Sequence, residues 1–402
     1  MNTPLNYKKT TLTLIFALFL IFIEQAKAEN KIIKIVSSLP RTGSSNAQTT
    51  TIVNGIKLAI EEQGSTINGY TIKYEDWDDA SPERGSWDPS VEAANAEKAV
   101  TDESVLAYIG PYNSGAAKIS MPILNKANLP MITPSASWPG LTKPKVGEPN
   151  EPMSYRPTGK VTFFRINPAD DIQGKVGGNW IKSIGAKSLY IVHDREVYGK
   201  GLANILKKTA ESHNIEILGF DGVDPKASNY KSLATKIKQK NPDIVFFGGI
   251  TQTNAGQFAK DLVNSGAKSK MLFGDGCFEQ AFIDAAGAEV INNRAFFTFG
   301  GLPPAKLTGK GEDFYKKYKS KFNAEPEAYS VYGYEAANVV IQSIKKLKII
   351  SRKDLVDILA NTKNYDGALG VWSFDENGDS TITKMSLNTV KNGKFEFVQT
   401  LE

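Results

Sequence analysis

Four loops in this sequence carry the hydroxyls, amides and carboxylate that could do chemistry. The run Val105 to Gly110 (VLAYIG) is followed by Pro111-Tyr112-Asn113-Ser114-Gly115-Ala116-Ala117, which leads into a helical stretch. Free backbone N–H groups, the Ser114 hydroxyl and a positive helix end then meet at one spot, a setting that suits a carboxylate. The next apolar run ends in Ile132-Thr133-Pro134-Ser135-Ala136-Ser137, which supplies a second hydroxyl-bearing loop. Tyr198 follows a strand-like segment in IVHDREVYGKG, and Asp275 follows another in LFGDG. Taken singly, Ser114 reads as a helix cap, and Ser135, Ser137 and Asp275 as turn residues. Together they present hydroxyls and amides on one lobe, and an aromatic ring and a carboxylate on the other.

Other chemistry can be set aside residue by residue. No G-x-S-x-G nucleophile elbow occurs. His193 and Asp194 are neighbours in an extended segment, so their side chains point to opposite faces and cannot act as a dyad. Thr308-Gly309-Lys310-Gly311 lacks the Ser/Thr that a phosphate loop places after its lysine. Asp375-Glu376-Asn377-Gly378-Asp379 has no twelfth-position Glu and reads as a turn rather than a calcium loop. His213 ends an amphipathic helix and reads as a solvated cap. Two His and one Cys in 402 residues leave little material for zinc or thiol catalysis, and lone Cys277 reads as a small packing residue. A formal charge of +5 without a Lys/Arg block gives no reason to expect nucleic acid. No cofactor, metal or catalytic residue is expected.

The elements that must position these loops alternate in type. Strands are expected at 31–37, 70–74, 105–109 and 129–132, with helices at 50–62, 91–100 and 114–125 between them. A second series has strands at 188–192, 215–220, 244–247 and 271–273, with helices at 201–212, 230–240 and 254–265. A strand at 295–299, two or three long helices between 311 and 361, and short strands ending near 398 close the chain. This pattern is α/β: two doubly wound parallel-sheet lobes crossed more than once by the chain. The expected division is 29–167 with 298–382 in lobe 1, and 168–297 with 383–402 in lobe 2. The Pro-rich stretch 139–157 reads as a long surface loop beside the first crossing, since proline lacks an N–H donor. At the N-terminus, Lys8 and Lys9, an apolar run at 12–23 and Ala26-Lys27-Ala28 make a secretory signal peptide, cleaved after Ala28. No Cys follows the apolar run to carry a lipid, so a soluble periplasmic protein is expected.

At YIGPYNSG, LPMITPSAS, IVHDREVYGKGLA, VFFGG and FGDG the sequence resembles the leucine/isoleucine/valine-binding class of periplasmic substrate-binding proteins that serve ABC transporters. The likeness spans nearly the whole chain beyond residue 28. It implies the type I periplasmic binding fold, with the lobes joined by a multi-crossing hinge. It also implies capture of an amino acid, branched-chain or otherwise apolar or aromatic, and delivery to permease subunits by a monomer. In such proteins a serine at the position of Ser114, a hydroxyl at that of Ser137 and the backbone at that of Ser135 hold the α-carboxylate. An acid at the position of Asp275 meets the ammonium, and a tyrosine at that of Tyr198 closes over the ligand. Gln48 and Ile250 stand where relatives carry aromatic residues, and segments 81–89 and 144–162 are insertions. Tyr112, Asn113, Trp138, Phe278 and Tyr329 are further candidates for the pocket. The alternatives are a same-fold binder of a small carboxylate or amide lacking the ammonium, or a ligand sensor.

Overall fold

The computed structural model describes residues 31–64 and 66–401, so the signal-peptide features lie outside the described residues. β1 (Ile32–Leu39) is buried along most of its length because helices cover both faces of its sheet. α1 (Asn46–Gln63) follows, four residues longer at its start than the apolar spacing predicts. Next come β2 (Thr66–Ile67), β3 (Tyr70–Asp78) and a small hairpin of β4 (Ala80–Ser81) and β5 (Ser86–Trp87), which occupies the 81–89 insertion. α2 (Pro89–Thr101) is capped by the Asp88 carboxylate, which accepts from the Ser90 amide, with proline in the first helical position. β6 (Val105–Ile109), α3 (Ser114–Lys126), β7 (Met131–Thr133) and β8 (Phe163–Arg165) complete the first sheet, in the order β2-β3-β1-β6-β7-β8. The order reverses between β1 and β6. Open α/β sheets bind ligands at the carboxyl ends of strands beside such a switch. The loop from Gly110 to Asn113 leaves β6 there.

The second lobe runs α4 (Asp170–Ser183), β9 (Ser188–His193), α5 (Val197–Ser212), β10 (Glu216–Gly222), α6 (Lys231–Lys240) and β11 (Ile244–Gly248). It continues through α7 (Ala255–Asn264), β12 (Lys270–Phe273), α8 (Gln280–Ala286), α9 (Ala288–Ile291) and β13 (Ala295–Gly300). The chain then returns to the first lobe with α10 (Lys310–Phe322), α11 (Ser330–Lys345) and α12 (Arg352–Ala360). α11 lies so close on α1 that a Cβ at Gly55 would stand 2.1 Å from the Ser330 carbonyl oxygen. A hairpin of β14 (Tyr365–Gly367) and β15 (Gly370–Trp372) precedes β16 (Met385–Lys391) and β17 (Lys394–Leu401). These last two strands extend the second sheet, in the order β10-β9-β11-β12-β13-β16-β17.

The fold is α/β with two mainly parallel sheets. At the edges β2, β16 and β17 pair antiparallel, because a hairpin or a returning chain reaches an edge without a crossover helix. β13 stays in the second sheet as far as Gly300, which faces Met385. One expectation needs correction. The 139–157 stretch is not a plain surface loop. It holds 3₁₀ turns at Pro139–Leu141 and Met153–Tyr155, and residues 138–142 are buried. Arginines supply the hydrogen bonds that prolines cannot. Wholly buried Arg165 donates to the Trp138 carbonyl at 2.9 Å and to Asp379 Oδ1 at 2.8 and 3.0 Å. Arg156 donates to the Thr142 carbonyl at 3.1 Å and to that of Asn377 at 2.9 Å.

Candidate functional site

Two loops of the first lobe are tied together at the end of β6. Ser114 opens α3, and its hydroxyl accepts from the amides of Ser137 and Trp138, each at 3.2 Å. Ser135 donates to the Tyr112 carbonyl at 3.0 Å, and Thr133 donates to the Pro111 carbonyl at 2.8 Å. Both loops are therefore pre-organised. The first-turn amides of α3 have no acceptor within their helix, and they open toward the same place.

The second lobe brings an aromatic ring and a carboxylate. Tyr198 lies in the first turn of α5, and its hydroxyl donates to Asp275 Oδ1 at 2.5 Å. The Gly276 amide donates back to that hydroxyl at 3.2 Å. Tyr329, which precedes α11, donates to Asp275 Oδ2 from the other side. Burial, then the charges of Asp275 and Asp170, hold the Tyr198 hydroxyl well above its ordinary range, so it stays a proton donor.

Tyr112, Asn113, Ser114, Ser135, Ser137, Tyr198 and Ile250 line one cleft, together with Tyr329 and Gly276. The cavity left in it measures about 20 Å³, room for about one water. Asp275 stands behind the wall, held by the two tyrosines. Gln48 lies behind Tyr112, whose hydroxyl donates to its Oε1 at 3.0 Å. Trp138 does not line the cavity: its indole donates to Glu151 Oε2 at 2.8 Å and its ring lies against Gly201 of α5. Phe278 is core, packed among Phe297, Phe299 and Phe395. Cys277 is a buried free thiol that donates to the Gly249 carbonyl at 3.4 Å. His193 and Asp194 make no bond to each other; His193 Nδ1 accepts from the Arg195 amide and Asp194 Oδ2 from the Thr253 hydroxyl. His213 caps α5 and pairs with Asn179 at 2.8 Å.

One acid near the site carries no motif in the sequence. Asp170 is the first residue of α4 and fully buried, and its amide donates to the Ser137 carbonyl at 2.9 Å. Neither carboxylate oxygen has a partner at good hydrogen-bond geometry, and the nearby Ser137 hydroxyl offsets only part of the cost of its burial. Burial and then the neighbouring Asp275 charge raise its pKa well above the usual carboxylate range. A buried, unpartnered carboxylate is costly, and a second acid beside it makes the spot a trap for a cation. α4 escaped the periodicity reading because Gly174, Gly177 and Gly178 dilute its apolar face. A Cβ at Gly174 would stand 2.6 Å from Ile205, and one at Gly178 2.6 Å from Thr209, so these glycines let α4 press on α5. The acidic pair Asp170-Asp171 at a helix start was the available signal.

Residues 32–394 match the periplasmic binding protein family. A Leu/Ile/Val-binding protein, BraC3, of Rhizobium johnstonii is 28% identical over 393 residues, which is 96% of this chain and 98% of that protein. The branched-chain amino acid transporter substrate-binding protein LivJ of Streptococcus pneumoniae, solved with isoleucine, is 27% identical with a TM-score of 0.79. The match covers 92% of this chain and 99% of that one. The leucine-binding protein LivK of Thermotoga maritima shares the fold, with a TM-score of 0.81 at 24% identity over 92% of this chain and 99% of its own.

Proposed function

This chain belongs to the periplasmic binding protein family, and from that premise we propose that it captures an amino acid between its lobes and hands it to an ABC permease. The observation that carries this reading is the cleft lined by Ser114, Ser135, Ser137 and Tyr198, behind which Tyr198 and Tyr329 hold Asp275, with the buried Asp170 near enough for the two acids to feel each other's charge. The ligand carboxylate is met by Ser114, Ser137 and the first-turn amides of α3. The ammonium is met by Asp275 and Asp170, with Tyr198 orienting Asp275. Each charge-assisted hydrogen bond contributes about 1.5–3 kcal/mol. Micromolar affinity needs only about 8 kcal/mol net, so a handful of them suffices once ordering costs are met. Because the donors and acids come from different lobes, full coordination requires closure, with the chain crossings near residues 167, 300 and 383 as the hinge.

We further propose that the N-terminal basic residues, apolar run and Ala-Lys-Ala site direct export, with cleavage after Ala28. The task is solute binding rather than catalysis, which accords with a site built of hydroxyls, amides and carboxylates. A thermal-shift screen of amino acids against their deaminated analogues tests the reading. Stabilisation by amino acids alone supports it. Equal stabilisation by the deaminated acids would replace it with a carboxylate binder.

A further inference from the structure

The ligand cleft continues outward between the lobes. Asn113, Ser114, Tyr198 and Ile250 wall both the cleft and a narrow extension of it, which is also lined by Trp87 and Gly115 of the first lobe and by Glu196 and Val197 of the second. Tyr112, Ser135, Ser137 and Tyr329, on the inner walls, are buried, whereas Trp87, Gly115, Glu196 and Val197 are half-buried. The extension is therefore the rim of the cleft, and Trp87 is its aromatic residue.

Trp87 reaches the rim on the 81–89 insertion, which is folded as a fixed arm. The β4–β5 hairpin sets Trp87 opposite Ala80. At the base of the hairpin the Ser81 hydroxyl donates to Asp88 Oδ2 at 2.8 Å, and the Asp88 amide to the Asp79 carbonyl at 2.7 Å. Near its tip the Gly85 carbonyl accepts from the Ser44 amide at 3.3 Å. The Arg84 guanidinium lies 5.6 Å from the centre of the indole and holds it by a cation–π contact. Trp77 joins the buried core of this lobe, and Trp87 does not.

The ring comes down on α3 at Gly115, where a Cβ would stand 2.6 Å from the indole Cζ2. Gly115 follows Ser114 in the first helical turn, whose amides have no acceptor within the helix. An indole at that place keeps bulk water from those amides and from the Ser114 hydroxyl. Charge-assisted hydrogen bonds gain strength where water is excluded, because the effective dielectric falls.

We propose that Trp87 is a lid over the carboxylate subsite, and that it prolongs the stay of a bound amino acid by keeping water off the head group. The proposal rests on the amino-acid reading above and deepens it with a residue from outside the four loops.

Calorimetry and stopped-flow dissociation with the standard amino acids test it. For those that bind the unaltered protein, Trp87→Ala is expected to weaken binding about tenfold, by a similar factor whatever the side chain and chiefly through faster dissociation. Trp87→Phe should recover most of the affinity. The melting temperature without ligand should change little, because the ring is only half-buried and stands apart from the core. Unchanged affinity in a folded Trp87→Ala protein would overturn the lid and leave the amino-acid reading intact. A loss confined to ligands with large side chains would also overturn it, since Trp87 would then be a side-chain wall. Binding of no amino acid to the unaltered protein would overturn both. Should Trp87→Ala not fold, Gly115→Ala decides, since its methyl group displaces the ring from the first turn: weaker binding is expected, and equal affinity would overturn the lid.

Discussion

Trp138 of the first lobe lies against Gly201 of the second so closely that a Cβ at position 201 would stand 2.4 Å from two carbons of the indole ring. The ring has no freedom to yield. Its Nε1 is bound to Glu151, which is itself held by Lys118 and Tyr155, each at 2.6 Å. A glycine in α5 therefore lets the lobes meet, and the residue that meets it comes from the loop whose serines line the cavity. Sequence reading placed Trp138 in the pocket. Its place in the structure is the seam that closes it.

Gly201→Val should hold the lobes apart. Ligand affinity is expected to fall at least tenfold by calorimetry, with a larger radius of gyration by small-angle scattering in the presence of ligand. The melting temperature without ligand should change little, since the added methyl groups oppose closure rather than folding of either lobe. Unaltered affinity would show that this contact does not limit closure.

Asp170 and Asp275 should separate in what they do to the free protein. Asp275→Ala removes the acceptor of two tyrosine hydroxyls and is expected to weaken amino-acid binding at least tenfold. Asp170→Asn should weaken binding by a similar factor and also raise the melting temperature of the ligand-free protein by a few degrees, because it deletes an unpartnered buried acid. A lower melting temperature together with intact binding would mean that Asp170 serves the fold and not the ligand.

Glu335 should make stability fall as pH rises. It is fully buried in α11 and accepts from the Trp372 indole at 2.7 Å and the Ala368 amide at 3.0 Å, yet burial pushes its pKa from 4.5 up to about 7. Between those values the folded chain keeps a proton that the unfolded chain has lost. The stabilising contribution is therefore complete below about pH 4.5 and is lost as pH rises through about 7, with a size of about 3 kcal/mol. Urea unfolding at pH 5 and pH 8 should show this drop in the unaltered protein and a drop smaller by that amount in Glu335→Gln. An identical drop in both would assign the pH dependence to other groups.

Much of the frame could be read from residue order. Runs such as VLAYI in β6 and IVFFG in β11 are apolar throughout because helices cover both sheet faces, and that pattern survives without any knowledge of neighbours. The loops after such strands in an open sheet are the places to look, which is how Ser114, Ser137, Tyr198 and Asp275 were found. What periodicity could not deliver was α4, whose glycines replace an apolar face with close contact to α5, and with it Asp170 was lost.

Residue types and their spacing were enough to establish an α/β chain of two lobes with hydroxyl loops facing an aromatic ring and an acid. Those features depend on local period and on turn chemistry, and both are written along the chain. Which polar atoms remain without partners depends on groups far apart in sequence. Asp170 beside Asp275 and Gln48 behind Tyr112 are settled only when each lobe packs, because hydrogen-bond satisfaction is a property of the packed whole. The hydroxyls, amides and carboxylate of the site are thus local in origin, whereas the company Asp170 keeps and the seam at Trp138 and Gly201 belong to the tertiary structure.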